Sequence, residues 1–131
     1  MSFWKNKKVL VTGGSGFVGS HVVKALVYNG ASVTASVSRT KNDKKIKQNL
    51  GEILKKITVK NADLLSLSDC LEITQNQESI FNFAALDGVS LFKATHPSEL
   101  FSTNAEITLT FLRAYLKTKI ESFLLMRYIH I

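Results

Sequence analysis

A chain of 131 residues, 45% hydrophobic and 21% charged, has the length and composition of one ordinary globular domain with one core. No apolar run approaches the ~20 residues needed to span a bilayer, and residues 1–8 lack the apolar core of a signal peptide, so the expected location is the cytoplasm, away from membranes. The formal charge of +7 belongs to scattered lysines, densest over residues 41–60; it fits a solvated surface or a field that draws anionic ligands, and no aromatic-rich or helix-turn-helix signature makes nucleic acid the expected partner.

In chain order, residues 8–12 (KVLVT) form a short apolar run and read as a buried strand. Residues 13–19 are a glycine-rich turn. Over residues 17–28, Val18, Val22, Val23, Leu26 and Val27 recur at helical spacing, and Gly30 after Asn29 stops that helix. Residues 32–37 are rich in β-branched types and read as a second strand. Residues 42–56 are a polar, lysine-rich helix candidate interrupted by Gly51. A third strand is expected over 57–60, a helix capped by Ser68 up to about Gln75, and a fourth strand over 79–84. A long helix is expected over 98–117, with Leu100, Ile107, Leu109, Phe111, Leu112 and Leu116 giving much of its apolar surface, and a fifth strand over 121–126. Strict alternation of strand and helix predicts an α/β domain: a doubly wound parallel sheet with helices on both faces and a ligand at the carboxyl ends of the strands. The single cysteine, Cys70, excludes an internal disulfide, and no Cys/His cluster suggests a metal.

The turn fits G-x-x-G-x-x-G through Gly13, Gly16 and Gly19, and G-x-G-x-x-G through Gly14, Gly16 and Gly19. The first glycine permits a tight turn out of the strand, Gly16 lets the backbone approach a pyrophosphate, and Gly19 lets the helix pack closely. The helix start then offers unpaired N–H groups and partial positive charge to phosphates. Strand before and amphipathic helix after are the context that makes this a Rossmann dinucleotide-binding turn, so Gly13, Gly14, Ser15, Gly16, Phe17, Val18 and Gly19 are candidate cofactor contacts. A glycine turn without ligand is the alternative.

Residues 9–21 (VLVTGGSGFVGSH) resemble the opening of the extended short-chain dehydrogenase/reductases, the NAD-dependent epimerase/dehydratase family. The likeness runs from Val9 to about Leu125. It implies that Asp63 and Leu64 contact adenine, that Ala84 and Ala85 run beneath the nicotinamide ribose, and that Val89, Pro97 and Asn104 belong to the segment entering the long helix, Asn104 near the cofactor. Each has a plainer alternative: Asp63 as a turn or cap residue, the two alanines as small core residues, and Asn104 as a structural hydrogen-bonder.

An NAD enzyme usually carries an acid at the end of its second strand. Here no acid follows Val37 before Asp43, and Ser38, Arg39, Thr40 and Lys41 stand there instead. A guanidinium suits a 2′-phosphate, which tilts the expected cofactor to NADP over NAD; a solvated basic loop is the alternative.

The resemblance also implies chemistry by a Ser/Thr and a Tyr-x-x-x-Lys pair beyond the fifth strand. The sequence reads Met126, Arg127 and Tyr128 there and ends at Ile131. The expectation is therefore the cofactor-binding portion of a family enzyme, truncated after the fifth strand by a shortened frame, a frameshift or a split gene, without catalytic residues of its own. Small-molecule substrates, nucleotide-sugars among them, would need a carboxy-terminal part supplied, and a bare edge at Phe123, Leu124 and Leu125 would invite self-association. A non-catalytic dinucleotide-binding module or cofactor sensor is the competing function. Tyr115 and Lys119 spell Tyr-x-x-x-Lys, but before the fifth strand, so they are expected to be a decoy.

Overall fold

Residues 9–11 can be buried on both sides only if each face of the first strand is covered, and the chain supplies those covers in turn. The computed structural model describes residues 3–37, 43–84, 97–118 and 122–125. Strand β1 (Lys8–Thr12) leads through the glycine turn to helix α1 (Phe17–Tyr28), then β2 (Ser32–Val37), α2 (Asp43–Leu50) and a 3-10 stretch (Gly51–Lys56). Next come β3 (Thr58–Asn61), α3 (Leu67–Thr74), β4 (Ser79–Asn82), α4 (Pro97–Lys117) and β5 (Ser122–Leu125). The five strands pair in parallel in the order β3-β2-β1-β4-β5. This is the expected doubly wound Rossmann sheet, and its order reverses between β1 and β4.

Alternation along β1 divides the core. Val9 and Val11 point to the face packed by α1 and α2, where they meet Val23, Leu26, Ile46 and Leu50 together with Val33, Ala35 and Val37 of β2. Leu10 points the other way and joins Ala62, Cys70, Ile73, Ile80 and Ala114 beneath α3 and α4. Each fully buried aliphatic side chain in these clusters contributes roughly 1.5–3 kcal/mol relative to exposure. On the second face the strand parity is polar toward the sheet edge. Leu10, flanked by Ile80 on one side, lies beside Thr34 of β2, which pairs with Thr58, and Ser36 pairs with Lys60, so this face turns from apolar to polar toward β3.

Several boundaries differ from the sequence expectation. The candidate helix over 42–56 is broken at Gly51, which takes φ +54, and continues only as a 3-10 stretch. A left-handed backbone angle cannot continue an α-helix, so the glycine ends it. The third helix is capped by Ser66, not Ser68: the Asp69 N–H donates to Ser66 Oγ at 3.2 Å, and the helix stops at Thr74. On α1, Val18 is 39% exposed, outside the buried stripe of Gly19, Ser20, Val23 and Leu26. β3 lies one residue later than expected, while β4 and β5 are shorter. Among the described residues, β3 and β5 are the sheet's two edges; the side chains of Phe123, Leu124 and Leu125 lie outside the described residues. No helix among those described is long and apolar enough to cross a membrane.

Candidate functional site

The carboxyl ends of the three central strands bring Ser36, Thr12 and Asn82 into one register row, and all three are buried. Buried polar groups in that position must find partners. Thr12 Oγ1 donates to Asn82 Oδ1 and accepts from the Ala84 N–H at 3.3 Å, while the Phe83 N–H donates to the Thr12 carbonyl at 3.1 Å. This small network ties the end of β1 to the end of β4, the place where the strand order reverses. A crevice at that reversal is where open α/β sheets hold their ligands.

The glycine turn rests on this platform, and each glycine has its own neighbour. Gly13 takes φ +67, and a Cβ on it would come within 3.0 Å of the Ala84 nitrogen and the Phe83 carbonyl carbon. A Cβ on Gly14 would lie 2.7 Å from the Ala35 Cβ, and its N–H reaches the Ser36 carbonyl at 3.4 Å. One on Gly19 would run into the Gly13 carbonyl, 2.9 Å from its carbon and 3.1 Å from the Gly14 Cα. Gly19 thus packs against its own turn rather than against the sheet. Gly16 differs: its Cβ direction meets only the Gly13 oxygen, at 3.3 Å, and otherwise open space.

Gly16 is also the N-cap of α1, with no side-chain cap and no acid in the first helical turn. The Gly16 N–H closes the turn onto the Gly13 carbonyl at 3.1 Å, and the Ser20 N–H is the first to bond back, to the Gly16 carbonyl at 2.9 Å. The amides of Phe17, Val18 and Gly19 precede the first i→i−4 bond and have no acceptor in the helix. Positive partial charge at this helix end is unanswered by any carboxylate of its own first turn. Phe17 is 77% exposed beside it, its ring edge-on to His21. Ser15 is buried, and its carbonyl accepts from Asn49 Nδ2 of α2 at 2.7 Å.

Asp63 and Leu64 follow β3 at the same edge of the sheet. Asp63 builds a turn: its Oδ1 accepts from the Leu65 N–H at 3.0 Å, its carbonyl from the Ser66 N–H at 2.9 Å, and its own N–H donates to Asp69 Oδ2 at 2.9 Å. Leu64 packs on the α3–α4 core, and its carbonyl accepts from Cys70 Sγ at 3.5 Å. Ala84 follows β4 next to Gly13. The structure thus brings residues 13–19, 63, 64 and 84 to the carboxyl edge of one sheet. Ser38, Arg39 and Ala85 lie outside the described residues, as does the side chain of Asn104 early in α4. Sequence reading missed Thr12, Asn82 and Asn49. The last had a signal: Ile46, Asn49 and Leu50 share a helix face at i, i+3, i+4, and a polar residue on a buried face needs a partner.

Burial, with the carboxylates of Asp69 and Asp63 adding to it, pushes the Cys70 thiol up from 9.0 to about 11. The folded value lies above the unfolded one, so the stability this thiol contributes is whole below pH 9 and is lost as pH rises toward 11. Two units correspond to roughly 2–3 kcal/mol. Urea unfolding of wild type against Cys70→Ala should show that extra loss across this window only where the thiol is present. A slope shared by both proteins would assign it to other groups.

Tyr115 lies near the end of α4 and packs on the Leu10 cluster. A parallel crossover must return the chain to the amino ends of the strands before β5 begins at Ser122, so this tyrosine stands at the edge opposite the glycine turn. Lys119 lies outside the described residues. A polar recess of about 260 Å³ also opens away from the turn, lined by Lys8, Ser32, Thr34, Thr58, Lys60, Gln75, Asn76 and Gln77. There Gln77 donates to Thr34 Oγ1 at 3.3 Å, and its Oε1 is buried without a partner. No residue of the turn lines this recess. The convergent backbone donors and the strand reversal favour the turn as the binding site.

This architecture defines an α/β domain of the dinucleotide-binding type. The model of the NAD dependent epimerase/dehydratase family matches residues 9–127, and the chain belongs to that family, corresponding to its NAD(P)-binding portion. It is 33% identical over 115 residues to a UDP-N-acetyl-alpha-D-glucosaminuronate decarboxylase of Bacillus cytotoxicus, covering 86% of this chain and 34% of that protein. It is 28% identical over 115 residues to GDP-mannose 3,5-epimerase of Arabidopsis thaliana, covering 86% and 29%. The chain therefore spans about a third of the length of these relatives. Among solved structures, UDP-glucuronic acid 4-epimerase from Bacillus cereus, in complex with UDP-glucuronic acid and NAD, superposes with a TM-score of 0.71 at 27% identity, covering 90% of this chain and 39% of that one. A UDP-glucose-4-epimerase from Stenotrophomonas maltophila gives 0.77 at 24% identity, covering 92% and 36%, which speaks for the fold alone.

Proposed function

We propose that this chain holds an NAD-type dinucleotide across the carboxyl edge of its sheet, with the pyrophosphate over Gly16 and the start of α1. The observation that carries this reading is the contrast within the turn. Gly13, Gly14 and Gly19 are filled against protein, while Gly16 alone faces open space, directly before a helix end with unanswered N–H groups. A pyrophosphate supplies the missing acceptors. In this reading Ser15 to Val18 contribute backbone contacts, Asp63 and Leu64 flank the adenine, and Ala84, Ala85 and Asn104 border the nicotinamide half. When bound, the dinucleotide supplies hydride-transfer chemistry; these residues bind and orient it. The relatives are named for sugars linked to UDP or GDP, which supports nucleotide-sugars as the substrate class of a longer protein containing this domain. Titration with NADH and with NADPH, followed by the cofactor's fluorescence, tests the reading: saturable binding of either supports it, and the absence of both in folded protein ends it.

The second half of the proposal is that the cofactor is NADP. Arg39 and Ser38 stand where an NAD-specific acid would, whereas the Bacillus cereus relative holds NAD. Arg39→Ala should weaken NADPH binding roughly tenfold, the scale of one charge-assisted hydrogen bond, and leave NADH nearly unchanged. Wild type that already prefers NADH would refute the preference without touching the site.

One observation favours binding without catalysis by these residues: Tyr115 is at the wrong edge of the sheet. A general acid must come within hydrogen-bond reach of the reacting oxygen, and a residue at the amino ends of the strands cannot. A cofactor sensor is the form this reading takes.

A further inference from the structure

We propose that Asn49 is a positioning residue for the dinucleotide: it holds the peptide between Ser15 and Gly16 so that the turn presents its next amides to the pyrophosphate. The proposal rests on the dinucleotide reading above. A trans peptide is planar, and its N–H and C=O point in opposite directions. In this peptide both ends are engaged. The Gly16 N–H bonds to the Gly13 carbonyl at 3.1 Å, and the Ser15 carbonyl takes the Asn49 amide at 2.7 Å across 34 residues of sequence. Rotating the plane would break both bonds, and rotation of that plane would swing the Phe17 and Val18 amides away from a common target.

The anchor itself is rigid. Ile46 and Leu50, on the same face of α2 as Asn49, are buried against β1 and β2 in the core cluster that also holds Val23 of α1. Gly13 against Ala84 and Gly14 against Ala35 fix the earlier half of the turn; the Gly16–Gly13 bond and Asn49 fix the later half, and Asn49 is the side chain that does so from outside the turn.

The test uses Asn49→Ala and the isosteric Asn49→Asp, which keeps the shape, loses the donor and sets a carboxylate against the Ser15 carbonyl. Two measurements are made: amide hydrogen exchange in unliganded protein, and affinity for NADH and for NADPH. Loss of one such hydrogen bond should speed exchange of the Gly16 amide roughly 3- to 10-fold and weaken both dinucleotides by a common factor of that size. Exchange at Leu10, in the middle of β1, should rise no more than at Gly16 and stay strongly protected, which loss of the fold would not allow. Asn49→Asp should be at least as severe as Asn49→Ala. Wild-type exchange at Gly16, or undiminished affinity for both dinucleotides in folded variants, would overturn the positioning role while leaving the dinucleotide reading in place. Failure of wild type to bind either dinucleotide would overturn both.

Discussion

Gly19→Ala is expected to unfold much of the domain, although alanine is the better helix former. In an exposed helix interior the exchange of glycine for alanine gains up to about 1 kcal/mol. Gly19 is the third residue of α1, so propensity alone forecasts stabilisation. The neighbours forecast the reverse. The new methyl would collide with the Gly13 carbonyl and come within 3.1 Å of the Gly14 Cα, both backbone. Those groups cannot rotate away, because Gly13 is pressed on Phe83 and Ala84 and Gly14 on Ala35. Overpacking of this kind costs about 1–3 kcal/mol where side chains can yield, and more where only backbone can. Against a typical stability of roughly 5–15 kcal/mol the loss would be a large fraction of the whole. Gly51→Ala is the comparison: that glycine has φ +54, which strains an alanine by roughly 1–2 kcal/mol, but no atom lies within 4 Å of its Cβ. Thermal unfolding should place Gly19→Ala far below Gly51→Ala. Equal melting temperatures would show that the turn can open to admit a side chain.

Gly16→Val should do the opposite, keeping the fold and abolishing binding. Gly16 has φ −74 and ψ 174, an extended conformation open to any residue. A Cβ there meets one atom, the Gly13 oxygen at 3.3 Å, a tight contact but far less severe than the collision at Gly19, so the folded state should lose about 1–3 kcal/mol, less than in Gly19→Ala. The branched side chain, however, fills the space above the helix start. A pyrophosphate held off by it forfeits at least two charge-assisted hydrogen bonds, each worth about 1.5–3 kcal/mol. The combined loss of about 3 kcal/mol or more is a fall in affinity of at least ~100-fold. Circular dichroism and NADPH titration on the same sample separate the two effects. A folded mutant with wild-type affinity would remove Gly16 from the binding surface.

Much of the fold could be read from the sequence because its signals are local. Val9 to Val11 before a glycine turn, and the 3.6-residue apolar spacing after it, place β1 and α1 without any knowledge of the rest. The strand–helix alternation then fixed the class of sheet. What escaped depends on contacts between distant segments. The residues 42–56 have helical composition throughout, and only the positive φ of Gly51 divides them. Ser66 and Ser68 are both good caps, but Ser66 stands three residues before Asp69, the spacing of a capping box, and that spacing was the better guide. Thr12 and Asn82, 70 residues apart, meet only because β1 and β4 are neighbours at the strand reversal. Gly19 was expected to serve helix–sheet packing, and the structure sets it against its own turn; a sequence pattern marks which positions need glycine, not which neighbour demands it. The exposure of β3 on both faces, Val59 included, has a similar cause: at the sheet edge, alternation no longer reports burial.

The most direct measurement is an amide chemical-shift map of the isotopically labelled protein titrated with NADPH. The account predicts the largest changes at Gly16, Phe17 and Val18, with smaller ones at Asp63, Leu64 and Ala84 along the same sheet edge. Changes confined to Lys8, Thr34, Thr58 and Lys60 around the polar recess, with the glycine turn silent, would contradict it.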